Sequence, residues 1–343
     1  MASYILKKSD LAGFVESLTG ELAVMGPVLQ DGKFTFAAAD PKEFRLDFQN
    51  TYLSPKDLFF PQSEKMLEFN ATPGEEGAFI LEDIKDKPQP RLVLGIRPCD
   101  AKAFAVLDTI FTNDQYTDPY WTARREATVL IGLGCNEPCP TCFCTSMGTG
   151  PFHEAGQDAL AVDLGDRLLI KPLTPKGEEI LKKAQGLTPA AAADEAQAQE
   201  LKQRAEAAIA GTVETDKIAQ RTVMELLEAP HWDVVQERCL NCGVCTFVCP
   251  TCHCFDIQDE VHGHTGVRLR NWDYCMSWLF TQHGSGHNPR PHKKERVRQR
   301  FMHKFKYIPL KRDGEIGCVG CGRCVTLCPV NIDVRDVVRD MND

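Results

Sequence analysis

Cys239 to Pro250 reads CLNCGVCTFVCP, which sets Cys239, Cys242, Cys245 and Cys249 at C-x2-C-x2-C-x3-C-P spacing. The same spacing returns at CVGCGRCVTLCP, with Cys318, Cys321, Cys324, Cys328 and Pro329. A thiolate every third residue lets one tight coil of backbone wrap three corners of an iron–sulfur cubane, with its amides turned toward the sulfurs. The fourth cysteine lies past the wrap and, in two-cluster proteins, ligates the other cluster. Crossed ligation therefore predicts Cys239, Cys242, Cys245 and Cys328 on one [4Fe–4S] cluster, and Cys318, Cys321, Cys324 and Cys249 on a second. Zinc sites usually pair two C-x2-4-C units instead. Gly243 and Gly322 follow the second cysteine of each run, where the backbone must pass close to the cluster. Pro250 and Pro329 end each turn and steer the chain away.

The rest of the composition agrees with metal-bound thiols. The chain has 343 residues, enough for two or three domains, and 16 cysteines. A disulfide framework belongs to small secreted chains. The start, MASYILKKSD, has no apolar core of a secretory signal. No apolar run approaches a membrane span, the longest being the strand-sized stretch from Ala127 to Leu133. Reduced cysteines in a cytoplasmic protein are the expectation.

Along the chain, Ser9 can cap a helix reaching about Met25. Asp31-Gly32 reads as a hairpin turn between Val28-Leu29 and Phe34–Phe36. Gly77–Leu81, Arg91–Gly95 and Ala127–Leu133 read as strands, with a helix from Ala101 to Phe111 between the last two. A second hairpin joins Leu160–Leu164 to Arg167–Ile170 through Gly165-Asp166. The fold class expected is α+β: a mixed α/β domain over residues 1–187, an alanine-rich helical connector over 188–215, and an α-helical two-cluster domain over 216–343. In that last domain Asp216–Leu227, Asn271–Phe280, Lys293–Lys306 and a final segment carrying Val334, Val337, Val338 and Met341 all read as helical.

A second cysteine constellation lies in the first domain. Cys99 and Cys135 each follow a strand, and Cys139, Cys142 and Cys144 come soon after in GCNEPCPTCFCTSMG. Loops after neighbouring strands converge on one sheet edge. Cys99, Cys135, Cys142 and Cys144 are therefore the candidate ligands of a third site, with Cys139, stiffened by Pro138 and Pro140, as the alternate. A third iron–sulfur cluster, a zinc site and free buried thiols all remain open there. CPTCFC at Cys139–Cys144 is echoed by CPTCHC at Cys249–Cys254. The echo leaves Cys252, Cys254 and Cys275 unassigned; His262 and His264 nearby offer zinc partners, but the spacing matches no closed zinc site, and ordinary buried or hydrogen-bonded residues are the expectation.

Gly132-Leu-Gly134 lacks the third glycine of a dinucleotide fingerprint, and no phosphate-binding G-x-x-x-x-G-K-[ST] occurs. Neither a flavin nor an NAD site is expected in this chain, and no catalytic residue stands out. Between Asn288 and Arg312 ten Lys or Arg face one acidic residue, in a chain whose total charge is −9. Val297, Phe301 and Phe305 sit at i, i+4 and i+8, so this segment reads as an amphipathic helix with a basic outer face. A solvated face, a docking face and compensation of negatively charged clusters compete for it. The acidic total disfavours nucleic acid.

GIRPCDAKA, the Cys135-x6-Cys142-Phe-Cys144-T-S-M-G stretch, CLNCGVCTFVCPTCHCF, RNWDYC and CVGCGRCVTLCPVNID occur in that order. Together they resemble a family of iron–sulfur proteins that includes the iron–sulfur subunit of anaerobic sulfite reductase and the beta subunit of soluble sulfhydrogenases. The resemblance runs from about Asn50 to Asp333, and Cys139 is an extra thiol within it. It implies an α-helical ferredoxin domain with two [4Fe–4S] clusters. It also implies two partners, a flavin- and NAD(P)H-binding subunit plus a catalytic redox subunit of hydrogenase, sulfite reductase or heterodisulfide reductase type. The expected function is electron relay between them. The alternatives are a zinc-bearing structural or nucleic-acid-binding protein, and a thiol or sulfur reductase acting through Cys252, Cys254 or Cys275.

Overall fold

The computed structural model describes residues 2–76, 80–83 and 88–343. It has both helices and sheets, 38% helical and 21% strand. Twelve strands are described: β1 (Tyr4–Lys7), β2 (Ala23–Gln30), β3 (Lys33–Ala37), β4 (Ser63–Asn70), β5 (Ile80–Asp83), β6 (Arg91–Ile96), β7 (Thr128–Leu133), β8 (Ala159–Asp163), β9 (Arg167–Pro172), β10 (Leu187–Pro189), β11 (Phe255–His262) and β12 (Thr265–Trp272). Eight of them form one sheet in the order β10-β1-β9-β8-β7-β6-β2-β3. β2, β6, β7 and β8 run parallel at its centre, and the flanking pairs are antiparallel.

The central strands are buried on both faces, as their unbroken apolar runs require. Leu92, Leu94 and Ile131 pack on one side with Phe14, Val15 and Ile180. Val93, Ile96 and Leu130 pack on the other with Phe104, Leu107 and Trp121. Each fully buried side chain of this kind contributes about 1.5–3 kcal/mol. The Pro98–Phe111 helix, with proline in its first turn, leaves β6 directly. A register shift between Leu94 and Ile96 bends the end of β6 just before it.

Both expected hairpins form, β2–β3 through Asp31-Gly32 and β8–β9 through Gly165-Asp166. The expected long first helix does not. After Leu11–Glu16 the chain turns, and β2 begins at Ala23. Its parallel pairing with β6 takes up Ala23–Met25. Of the expected strand Gly77–Leu81, residues 77–79 lie outside the described residues; β5 covers Ile80–Asp83. The alanine-rich stretch is a helix, Ala192–Ala207, although Ala205 is fully buried and Asp194 pairs with Arg167. It lies against the sheet rather than standing free in solvent.

Between the two cysteine runs the expected helix Asn271–Phe280 is replaced by strand and turn. β11 and β12 form a hairpin that pairs through β12 with β4, giving a second sheet in the order β11-β12-β4-β5. Arg270 fixes the pairing: it is 2% exposed and ion-paired with Glu64 on β4 and with Asp118. Trp272 adds a hydrogen bond from Nε1 to the Phe60 carbonyl at 2.9 Å. The final helix, Val334–Asn342, buries Val334, Val337, Val338 and Met341 as its spacing predicts. Their neighbours are Trp232, Phe301 and Met302. Among the described residues no helix is long and apolar enough to cross a membrane.

Candidate metal centres

The two cysteine runs adopt one local structure twice. In each, a short helix, Val244–Phe247 or Arg323–Thr326, starts from a left-handed glycine, Gly243 or Gly322. The residue before the second cysteine is also left-handed, Asn241 with φ 56° and Gly320 with φ 64°. That turn aims an amide back at the first thiol: Asn241 N–H donates to Cys239 Sγ at 3.3 Å, and Gly320 N–H to Cys318 Sγ at 3.5 Å. Ile332 N–H likewise donates to Cys328 Sγ at 3.2 Å.

Cys239, Cys242, Cys245 and Cys328 line one apolar cavity together with Met276 and Arg300. Cys324 borders the same cavity, so Cys328 shares it with three thiols of the other run and with one of its own. Cys318 and Cys324 are electrostatically coupled to each other and to Cys249, as is Cys321. Burial pushes the Cys245 thiol up to about 11 and the Cys318 thiol up to about 12. Both sites would thus gain from a cationic metal cluster that takes the sulfurs as thiolates.

In the first domain, β6 and β7 are neighbours and deliver Cys99 and Cys135 to the same sheet edge. A cavity there is lined by Cys99, Cys135, Cys139, Cys142 and Cys144, and also by Cys321. The Cys142 and Cys144 thiols act on each other, which holds Cys142 below and pushes Cys144 above the ordinary thiol range. Burial raises Cys139 to about 11. All five thiols reach one space, Cys139 included.

The second run is locked against this loop. Phe143 N–H donates to the Gly320 carbonyl at 2.8 Å, and the Thr141 and Thr326 hydroxyls meet at 2.9 Å. A Cβ on Gly320 would lie 2.6 Å from the Cys144 backbone, and one on Gly322 would lie 2.7 Å from that of Thr141. The glycines serve contact with a neighbouring loop as much as clearance for a cluster. Arg323 completes the lock. It is 4% exposed and grips Asp100 with two bonds, Nη1 to Oδ1 at 2.6 Å and Nη2 to Oδ2 at 2.7 Å, while its Nε donates to the Thr51 carbonyl at 3.0 Å.

The basic segment faces inward. The Lys293–Met302 helix runs into a π-turn, His303–Tyr307. Arg300 and Lys304 are each 4% exposed and Lys306 is 3% exposed. Lys306 donates to the carbonyls of Ile218 and Ala219, both at 3.0 Å. Arg298 donates to the Leu227 carbonyl at 2.6 Å. The expected basic outer face is therefore mostly spent on the interior. Burial opposes the charge of Arg300, but the sulfurs of Cys245, Cys324, Cys252 and Cys249 outweigh it and hold the guanidinium protonated. Lys304 is held protonated in the same way, against burial, by Cys249, Cys252 and Cys318.

Lys56 is a third buried cation, 2% exposed, with its ammonium on the Cys252 carbonyl at 2.8 Å and 3.9 Å from the centre of the Trp272 ring. Arg300 Nε has no hydrogen-bond partner among the described residues. These three cations meet carbonyls, a threonine hydroxyl and sulfurs, whereas the fully buried carboxylate pairs lie elsewhere, at Arg270 and Arg323. A buried ion without a counter-charge costs several kcal/mol. Four thiolates around a [4Fe–4S] core carry net negative charge, so the donor sets and the cations fit such clusters. Among the described residues no three His, Cys, Asp or Glu are gathered tightly enough to grip a single metal ion. His262 and His264 sit at the exposed tip of the β11–β12 hairpin. That is eight residues of strand from Cys254, roughly 25 Å at 3.3 Å per residue, which removes them as zinc partners for Cys252, Cys254 and Cys275.

Residues 238–332 match the family of 4Fe-4S dicluster domains. Along its length the chain is similar to Sulfhydrogenase 2 subunit beta of Pyrococcus furiosus, at 29% identity over 328 residues, covering 92% of each chain. No solved structure shows a significant match. The resemblance read from the cysteine motifs is borne out, and the C-terminal part of the chain is a 4Fe-4S dicluster domain.

Proposed function

We propose that this chain is the iron–sulfur electron-transfer subunit of a multi-subunit oxidoreductase. It relays electrons between two partners, one that handles flavin and NAD(P)H, the other a catalytic redox subunit of hydrogenase, sulfite reductase or heterodisulfide reductase type. The relative's name, which makes it one subunit of a sulfhydrogenase, supports a place in a multi-subunit complex. Residues 1–187 form the mixed α/β domain, 188–215 the connector and 216–343 the two-cluster domain.

Cys239, Cys242, Cys245 and Cys328 hold one [4Fe–4S] cluster; Cys318, Cys321, Cys324 and Cys249 hold the second. Cys99, Cys135, Cys142 and Cys144, with Cys139 as alternate, hold a third. When bound, each supplies a one-electron couple tuned by local charge and N–H···S bonds. The observation that supports this assignment is the cavity that Cys328 shares with Cys239, Cys242 and Cys245, bordered by Cys324 as well. Cys242 is exposed, so the first centre reaches the surface where a partner can exchange electrons. Arg300 and Lys304 neutralise the interior sites, and the Arg323–Asp100 clamp holds the third site against the second.

Cys328→Ser tests the crossing. The reduced variant is expected to lose the paramagnetic signal of the cluster on Cys239, Cys242 and Cys245 and to keep the other. Loss of the Cys318, Cys321 and Cys324 cluster instead would refute it.

A further inference from the structure

Cys252, Cys254 and Cys275 are left over by the three centres above, yet the fold brings them together. Cys252 and Cys254 follow the first run directly. Cys275 returns to them after the whole β11–β12 hairpin, 21 residues later. Cys275 is buried in the apolar cluster against which Cys254 packs, and each of these two thiols is the strongest influence on the other. The hairpin closes beside them, where Asp273 N–H donates to the Cys254 carbonyl at 3.0 Å. Cys252 stays beside Cys249 through its N–H, which donates to the Cys249 carbonyl at 3.4 Å.

The echo between CPTCFC and CPTCHC is structural as well. Cys142 N–H donates to the Cys139 carbonyl at 3.0 Å, and Cys252 N–H to the Cys249 carbonyl at 3.4 Å, so both hexapeptides open with the same turn. In the first copy the last two cysteines face thiols from other segments across a cavity. In the second copy they meet Cys275. The buried charge agrees: Lys56 sits on the Cys252 carbonyl at 2.8 Å and Lys304 on the Thr251 hydroxyl at 2.8 Å, and the sulfurs acting on them include Cys252 beside Cys249. Two ammonium groups with no carboxylate partner among the described residues thus act on Cys252 as well as on the ligands of the second centre, and thiolates at Cys252, Cys254 and Cys275 would share in compensating them.

We infer that Cys252, Cys254 and Cys275 bind a further iron–sulfur cluster, a cubane held by three thiolates beside the Cys249 corner of the second centre. Its fourth iron is free of protein thiolate and open to a small exogenous ligand.

The inference rests on the iron–sulfur reading of the two neighbouring runs, and the full-length protein separates the two. Iron and acid-labile sulfide are measured on anaerobically prepared wild type and on the Cys252→Ser/Cys254→Ser/Cys275→Ser variant. The variant is expected to lose about four of each per chain while the signals of the other clusters persist. Because the triple variant can fail to fold, wild type is also titrated with cyanide in the reduced state. One component of its paramagnetic spectrum is expected to shift, since an iron lacking a thiolate takes the ligand. Unchanged iron and sulfide in a folded variant, or a wild-type spectrum with no cyanide-responsive component, overturns the inference and leaves the dicluster reading standing. A wild type without iron overturns both.

Discussion

Arg300 shows what a buried charge does in this protein. Its guanidinium lines the first centre's cavity and is coupled to Cys245 of one run and Cys324 of the other. A fixed positive charge favours the more negative, reduced form of a nearby cluster, and the low internal dielectric strengthens the effect. Arg300→Met is therefore expected to lower the reduction potential of both C-terminal clusters relative to wild type. A reductive titration monitored optically would show it, and an unchanged potential would mean that the charge is screened. Asp100 and Arg323 act differently, as a buried pair joining the Cys99 loop to the second run. Removing one partner of such a pair costs about 3–5 kcal/mol because the other is left uncompensated. Asp100→Ala should accordingly lower the thermal midpoint more than Asp47→Ala, whose carboxylate pairs with Arg45 at the surface. Equal losses would deny the clamp its role.

The elements differ in how far the sequence discloses them. The two cysteine runs are legible because their ligands are local and periodic, and β6 and β7 are legible because their apolar runs lead directly to Cys99 and Cys135. β12 is not. Its pairing partner β4 lies about 200 residues earlier, and Arg270, which holds the two together through Glu64, reads from sequence as an ordinary surface charge. The Lys293–Tyr307 segment misleads for a related reason. Its apolar residues mark the inward face correctly, since Val297, Phe301 and Phe305 are buried, but Arg300 and Lys304 share that face because thiols lie beneath them. The distinction is testable within one helix. Arg300→Glu should abolish iron at the neighbouring centres, whereas Arg296→Glu, whose guanidinium meets the carbonyls of Arg290 and Pro291, should retain it. Iron content per chain reads both variants, and equal retention would return the segment to a solvated or docking face.

At the scale of the molecule, the second run together with the Cys249–Cys252 end of the first is the junction. Cys321 borders the cavity of the first domain's five thiols, Cys249 adjoins Cys252, and Arg300 spans the gap from Cys324 to Cys245. Loops of the α/β domain close around it: Asn50, Thr51 and Asp100 bind Arg323, and Lys56 reaches Cys252. The echo of CPTCxC is visible in the sequence, but its meaning is not, because Cys275 joins it only once β12 is paired. Electrons entering at the exposed Cys242 end have a run of thiol-lined sites leading into the α/β domain. A reductive titration of the anaerobically prepared full-length chain, with iron, sulfide and zinc measured on the same sample, tests this arrangement at its root. A brown protein is expected, with iron and sulfide in equal amounts, at least about eight of each from the duplicated runs, taking up electrons in separate one-electron steps. A colourless, zinc-loaded protein that takes up no electrons would contradict it.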